Sequence, residues 1–173
     1  EHIVDPAIGW NISAAIYESN FSVATQDTSP EGLFFKSDGS KMYIIGNVIV
    51  YQYNLSDAWN ILSAVYDNVN LNVTNQDASL QGLFFKSDGS KMYILGSISD
   101  SIHQYNLSDA WNISSAVYDN ANFSVANQDT SPQGLFFKSD GSKMYMVGSL
   151  KDRVHQYNLS DAWNISSAVY DNA

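Results

Sequence analysis

Apolar and polar residues alternate along this chain in short runs, and the runs recur. From Ser131 onward, Leu135-Phe136-Phe137 is an apolar stretch bounded by turn formers, the pattern of a buried strand. Ser139-Asp140-Gly141-Ser142 predicts a tight hairpin, because Asp-Gly tolerates positive φ. Met144 to Val147 reads as a second strand, ended by Gly148, and Lys151 to Arg153 as a polar turn. Val154 to Leu159 has period-two character and predicts a third strand. Ser160 to Asn164 is a connection, and Ile165 to Tyr170 alternates again as a fourth. No segment sustains a 3.6-residue period, so little helix is expected.

This unit is repeated. Gly32 to Tyr43 recurs without a change as Gly82 to Tyr93 and Gly134 to Tyr145, with starts 50 and 52 residues apart. A second block, Asn-Leu-Ser-Asp-Ala-Trp-Asn, begins at Asn54, Asn106 and Asn158. Four antiparallel strands at such a period are the signature of a β-propeller blade, with strands A to D running outward from the channel. The expected fold is therefore all-β: three full blades over 21–69, 70–121 and 122–173, preceded by a half blade (strands C and D) over 1–20. In that half blade His2 aligns with His155 and Trp10 with Trp163, and Pro6 suits an edge or strand end.

Pro132 to Tyr145 resembles the Asp-Gly-x-Lys-Met-Tyr repeats of secreted and surface propellers of bacteria, archaea and phages. These are similar to NHL and YVTN propellers. Gln156 to Trp163 matches the same family's strand C and following turn. The resemblance covers Phe21 to Ala173, implies the propeller fold and an extracellular or cell- or virion-surface setting, and carries no catalytic residues.

Composition narrows the chemistry. Eighteen acidic against eight basic residues give a net charge of −10, which disfavours nucleic acid and anionic membranes as partners. No cysteine is present, which removes disulfides, thiolate catalysis and Cys-ligated metals. No stretch approaches 20 apolar residues, so no membrane insertion is expected, and no charged stretch followed by an apolar run marks a leader. Asp38, Asp88 and Asp140 read as hairpin-turn residues, because one carboxylate per loop is too few for Ca²⁺. His2, His103 and His155 share one strand position and lie a blade apart, too far to converge on zinc. The pairs Gln26-Asp27, Gln76-Asp77 and Gln128-Asp129 satisfy linker amides or, on the alternative reading, line a binding face. No cofactor, metal or catalytic residue is expected, and the chain is read as a non-enzyme.

Three and a half blades leave apolar faces that need cover. The main functional expectation is therefore a structural protein that assembles with itself by blade packing, as a ring-completing oligomer or a head-to-tail filament; the chain as a piece of a longer array is a third reading. The expected assembly surface comprises Ile3, Val4, Trp10, Ile12, Ile16 and Tyr17 at one end, and Leu135, Phe136, Phe137, Trp163 and Tyr170 at the other. The alternative is a carbohydrate- or ligand-binding module, lectin-like or adhesin-like, with Trp59, Trp111 and Trp163 as stacking platforms for glycans. Nine Asn-x-Ser/Thr sequences mark candidate N-glycosylation sites: Asn11, Asn20, Asn54, Asn72, Asn106, Asn112, Asn122, Asn158 and Asn164.

Overall fold

The computed structural model describes residues 12–171, which form three four-stranded antiparallel sheets. The first holds β1 (Gly32–Phe35), β2 (Lys41–Ile45), β3 (Ile49–Leu55) and β4 (Ala64–Asn72). The second holds β5 (Leu80–Phe85), β6 (Lys91–Gly96), β7 (Ser101–Leu107) and β8 (Ala116–Ser124). The third holds β9 (Pro132–Phe137), β10 (Lys143–Gly148), β11 (Arg153–Leu159) and β12 (Ala168–Tyr170). Spatial order follows chain order in every sheet, as in propeller blades.

The first hairpin of each sheet is built by its Asp-Gly turn. Asp38 accepts hydrogen bonds from the Ser40 amide at 3.0 Å and the Ser40 hydroxyl at 2.7 Å, and Gly39 takes φ +74°. Gly89 and Gly141 repeat that conformation at +75° and +73°. The third and fourth strands are joined on the same end of the blade. There Trp59, Trp111 and Trp163 donate their amides to the carbonyls of Gly39, Gly89 and Gly141 at 3.0, 3.1 and 3.1 Å.

The segment expected as a continuous fourth strand begins differently. Ile61–Ser63, Ile113–Ser115 and Ile165–Ser167 are 3-10 turns, and the strand starts only at the following alanine. The preceding Asn60, Asn112 and Asn164 cap the turn by accepting from the amide two residues on. A bulge then shifts register between Gln52 and Tyr53 and again between Gln104 and Tyr105. Asn68 and Asn120 sit opposite with φ of 56° and 53°, a conformation that asparagine tolerates better than most residues.

The half blade expected over 1–20 is corrected in part. Residues 1–11 lie outside the described residues. Ile12–Ala14 is a 3-10 turn, but no strand follows it before Gly32. Ile12, Ile16 and Tyr17 are exposed rather than packed on a neighbouring strand.

Sheets pack face to face in chain order. One apolar cluster joins Tyr43, Ile45 and Val50 of the first sheet to Phe85, Met92, Ile94 and Trp111 of the second. Its equivalent joins Tyr93, Leu95 and Ile102 to Phe137, Met144, Met146 and Trp163. Polar bonds fix the register of each junction. The Tyr43 hydroxyl donates to the Trp111 carbonyl at 2.5 Å, and the Tyr93 hydroxyl to the Trp163 carbonyl at 2.6 Å. The Gln52 and Gln104 side-chain oxygens accept from the amides of Ile113 and Ile165 at 3.0 and 3.1 Å. Leu135, Phe137, Trp163 and Tyr170, expected on a free assembly surface, instead pack within the cluster of the internal second junction.

Candidate functional site

Three places on the molecule could carry chemistry. At the linker end of the blades, the Gln-Asp pairs are pinned to the structure. Gln26, Gln76 and Gln128 accept from the hydroxyls of Tyr53, Tyr105 and Tyr157 at 3.1, 2.8 and 3.4 Å. Asp129 is fully buried and accepts from the amides of Ser131 and Lys151, both at 2.8 Å. Burial works against the Asp77 charge, but the hydroxyl and amide of Ser99 and the amides of Ser79 and Ile98 outweigh it and hold the carboxyl below 3.8. These carboxylates need the glycines beneath them: a Cβ at Gly96 or Gly148 would lie 2.1 or 2.2 Å from the carboxyl carbon of Asp77 or Asp129.

The second sheet adds a feature that the sequence does not announce. The Ser99 hydroxyl lies 2.6 Å from Asp77 Oδ2 and 3.1 Å from His103 Nε2. The order is carboxylate, hydroxyl, imidazole. With Asp77 ionised, the serine proton belongs to the carboxylate, and a neutral His103 donates from Nε2 to the serine oxygen. His103 Nδ1 is then a bare acceptor, and it is indeed buried with no hydrogen-bond partner. Burial lowers the His103 pKa, with Asp77 opposing, so neutral imidazole is the resting form. This is a bonded chain that closes the turn, with the histidine in the wrong place to take the serine proton. His155, by contrast, has the Tyr170 hydroxyl, at 3.4 Å, as its hydrogen-bond partner among the described residues. Among the described residues no group of three or more His, Asp and Glu is placed to hold a metal ion.

The second place is a cavity of about 460 Å³ on the outer flank of the first sheet, lined by Phe21, Leu33, Phe35, Met42 and Ile44. Leu83, Phe85, Met92 and Ile94 are the counterparts of four of these and are buried against the preceding blade. The flank is thus a blade-packing surface in chemistry.

The third place lies at the hairpin end of the inner strands. A groove of about 230 Å³ is lined by Phe34, Phe84 and Phe136, with Phe85, Phe137, Trp111 and Trp163 beneath them and Ser37, Ser87 and Ser139 at its edge. Phe34 and Phe84 lie 5.5 Å apart and Phe84 and Phe136 lie 5.3 Å apart, centroid to centroid. The indole of Trp111 stacks behind Phe34 at 24° and that of Trp163 behind Phe84 at 22°. Phe136 is 59% exposed. The three serines are exposed, and no hydrogen bond to protein engages their hydroxyls among the described residues. On the rim, Lys36, Lys86 and Lys138 pair with Asp38, Asp88 and Asp140 at 2.8, 2.8 and 2.6 Å. These bonds hold the Asp38 and Asp140 carboxyls well below the usual carboxylate range.

The tryptophans expected as sugar platforms stand otherwise. Trp111 and Trp163 are only 8% exposed, with their rings over Gly89 and Gly141 and stacked on Phe85 and Phe137. Trp59 is exposed. The aromatic surface that a ligand could reach is the phenylalanine strip, which sequence reasoning assigned to core and assembly; Phe136 is exposed, and Phe34 and Phe84 are half-buried against the blade junctions. The equal register of Phe34, Phe84 and Phe136, one residue before a fully buried or half-buried Phe, was the available signal. Of the candidate glycosylation sites, Asn11 lies outside the described residues. Asn112 and Asn164 donate their amide nitrogens to Asp109 and Asp161 at 2.8 and 2.9 Å, and Asn20 to the Tyr17 hydroxyl at 2.7 Å. Asn54, Asn106 and Asn158 accept from Lys41, Lys91 and Lys143, each at 2.6 Å. Asn72 accepts from Thr74, and Asn122 is exposed on β8.

No protein-family model and no curated protein sequence matches the chain. Solved structures do. A protein from Bacteroides fragilis assigned as a 6-phosphogluconolactonase is similar with TM-score 0.59 at 12% identity, over 82% of this chain and 37% of its own. The periplasmic gluconolactonase of Pseudomonas aeruginosa gives 0.55 at 16%, over 83% and 38%. The β-propeller domain of Myceliophthora thermophila Swd1 gives 0.53 at 10%, over 76% and 40%. The fold is propeller-like. The chain spans about two fifths of the length of these structures, and they do not single out NHL or YVTN propellers.

They also correct the main functional expectation. A non-catalytic, self-assembling structural protein was inferred because the repeats carry no recognisable catalytic motif and leave apolar faces. Yet lactonases stand among the structures with this fold, so neither a structural role nor the absence of catalysis follows from the blades.

Proposed function

We propose that the chain is a ligand-binding propeller module that acts outside the cytoplasm and takes a carbohydrate in the groove formed by Phe34, Phe84 and Phe136. The observation that carries this reading is the pairing of an aromatic groove, Phe136 exposed and Phe34 and Phe84 half-buried, with three serine hydroxyls that no protein group engages among the described residues. Sugar rings offer apolar C–H faces and hydroxyls together, and binding sites for such ligands combine an apolar lining with a few placed polar groups. The rim is balanced in charge, lysine against aspartate, so the ligand is uncharged. The periplasmic location of the Pseudomonas aeruginosa gluconolactonase supports the extracytoplasmic setting.

The test is binding to an array of neutral glycans by the wild-type chain and by Phe136→Ala. Because Phe136 is 59% exposed, its truncation leaves the fold intact by circular dichroism. Binding that falls at least tenfold supports the site; a silent array, or binding that Phe136→Ala leaves unchanged, overturns it. Sugar lactones belong in the same panel, since the two lactonase structures share this fold. Acid release from a bound lactone would identify the module as an enzyme.

A further inference from the structure

The groove repeats its own chemistry. Each sheet contributes one phenyl ring and, three residues on, one exposed hydroxyl, at the same register: Phe34 with Ser37, Phe84 with Ser87, Phe136 with Ser139. Resting on the carbohydrate reading just given, we infer that the ligand is an uncharged oligosaccharide of at least three units, each unit occupying one of these three subsites.

Three observations select that class over a single sugar or a flat aromatic molecule. First, the steps along the strip are 5.5 and 5.3 Å, about the length of one pyranose ring in an extended glycan. A monosaccharide would fill one subsite and leave empty two others of the same register and chemistry, though Phe136 is more exposed than Phe34 and Phe84. Second, successive phenyl planes turn by 70° and 75°. A rigid fused-ring molecule can lie against only one of them, whereas rings joined by rotatable glycosidic bonds can follow the turn. Third, each lysine on the rim is already neutralised by its own aspartate, while the chain as a whole carries −10. An anionic glycan would meet net repulsion and no unpaired cation in the groove.

The strip is also held in place before any ligand arrives. Trp111 and Trp163 stand behind Phe34 and Phe84 at near-parallel angles, and their own carbonyls are fixed by Tyr43 and Tyr93. Ordering costs on binding are therefore small, and subsites joined by one ligand add their contributions.

The experiment is a calorimetric length series with β-1,4-linked glucose and N-acetylglucosamine oligomers of one to five units. Hiding roughly 50 Å² of apolar ring face per subsite corresponds to about tenfold in affinity. Affinity should rise by that factor with the second and third units and level off afterwards. Phe136→Ala should move the plateau from three units to two, and Ser87→Ala, in the middle subsite, should weaken trimers without moving it. Affinity equal for one and three units overturns the subsite assignment while the carbohydrate reading survives. Where the array recognises another sugar, its own oligomers replace these and the same flat response overturns the assignment; a silent array removes the carbohydrate reading itself.

Discussion

Deleting one hydroxyl at equivalent positions in the three sheets tests how the blades are joined. Tyr43 and Tyr93 are fully buried, and their hydroxyls reach across a sheet junction to the carbonyls of Trp111 and Trp163 at 2.5 and 2.6 Å. Tyr→Phe keeps the ring and its contact with Phe85 or Phe137, at 4.5 and 4.4 Å between centroids. What is lost is the one proton that the described residues offer to a buried carbonyl, and an orphaned buried acceptor costs about 1–3 kcal/mol. Tyr145 is the third copy. It is half-buried, and among the described residues its hydroxyl makes no such bond. Tyr145→Phe should therefore cost less than about 0.5 kcal/mol, as exposed substitutions do.

For a chain of this size each kcal/mol moves Tm by roughly 2–4 °C. Tyr43→Phe and Tyr93→Phe should thus melt about 2–12 °C below wild type, and Tyr145→Phe within about 2 °C of it. Urea unfolding followed by tryptophan fluorescence checks the same quantity, with an unchanged m-value required for a clean comparison. Equal losses at all three positions would show that the hydroxyl acts within its own blade. No loss at Tyr43 and Tyr93 would show that the junction does not depend on these bonds.

Two further outcomes follow from packing and charge. Trp111→Ala empties the space over Gly89 and strips the stack from Phe85 and Phe34, so it should cost about 3–5 kcal/mol in urea unfolding; Trp59→Ala, at an exposed ring, should cost under about 1. Acid should destabilise the fold in two steps. Burial keeps the His103 and His155 pKa values below the ordinary 6.5, so the unfolded chain takes up protons that the folded one refuses, and stability present above pH 6.5 is lost as pH falls below it. Burial pushes Asp88 up, but its bonds from Lys86 and Ser90 win and lower it from 3.8 to about 2, so its contribution, present above pH 3.8, is lost as pH falls toward 2. Urea midpoints across pH 8 to 2 should lose the first step in His103→Gln with His155→Gln and shrink the second in Asp88→Asn. A first step that survives the double histidine variant would refute the assignment.

The blade pattern was legible because strands and turns obey local rules. Asp-Gly forces the hairpin, Leu83 and Phe85 have nowhere to go but inside, and the exact recurrence multiplies each signal. The 3-10 turn at Ile113–Ser115 was not legible, because Ile-Ser-Ser-Ala-Val-Tyr alternates like a strand, and only the Asn112 cap and the Gln52 bond from a neighbouring sheet decide otherwise. The roles of Trp111 and Phe34 were exchanged for a similar reason. Both are large aromatics beside polar turns, and their sequence contexts do not say which one the glycine turn will cover. Gly89, at φ +75° with no Cβ, offers the seat that the indole takes, and that leaves Phe34, Phe84 and Phe136 to line the groove.

That exchange explains why the site could not be separated from the fold by reading repeats alone. The groove phenylalanines and serines fall inside the block Gly32 to Tyr43 and its two unchanged copies, where every residue also serves the blade: Phe35 and Met42 pack backward, Tyr43 bonds forward, and Asp38 turns the hairpin. Departures between copies lie outside this block, and those at the linker end include Ser99 against Lys151 and Tyr51 against His103 and His155. If ligand recognition resided there, each blade would present a different surface, and Asp77 and Asp129 would have to give up the amides that bury them. A ligand that repeats, by contrast, requires subsites that repeat. Identity of the three blocks and equivalence of the three phenyl-hydroxyl pairs are then one requirement, met at the hairpin end of the inner strands.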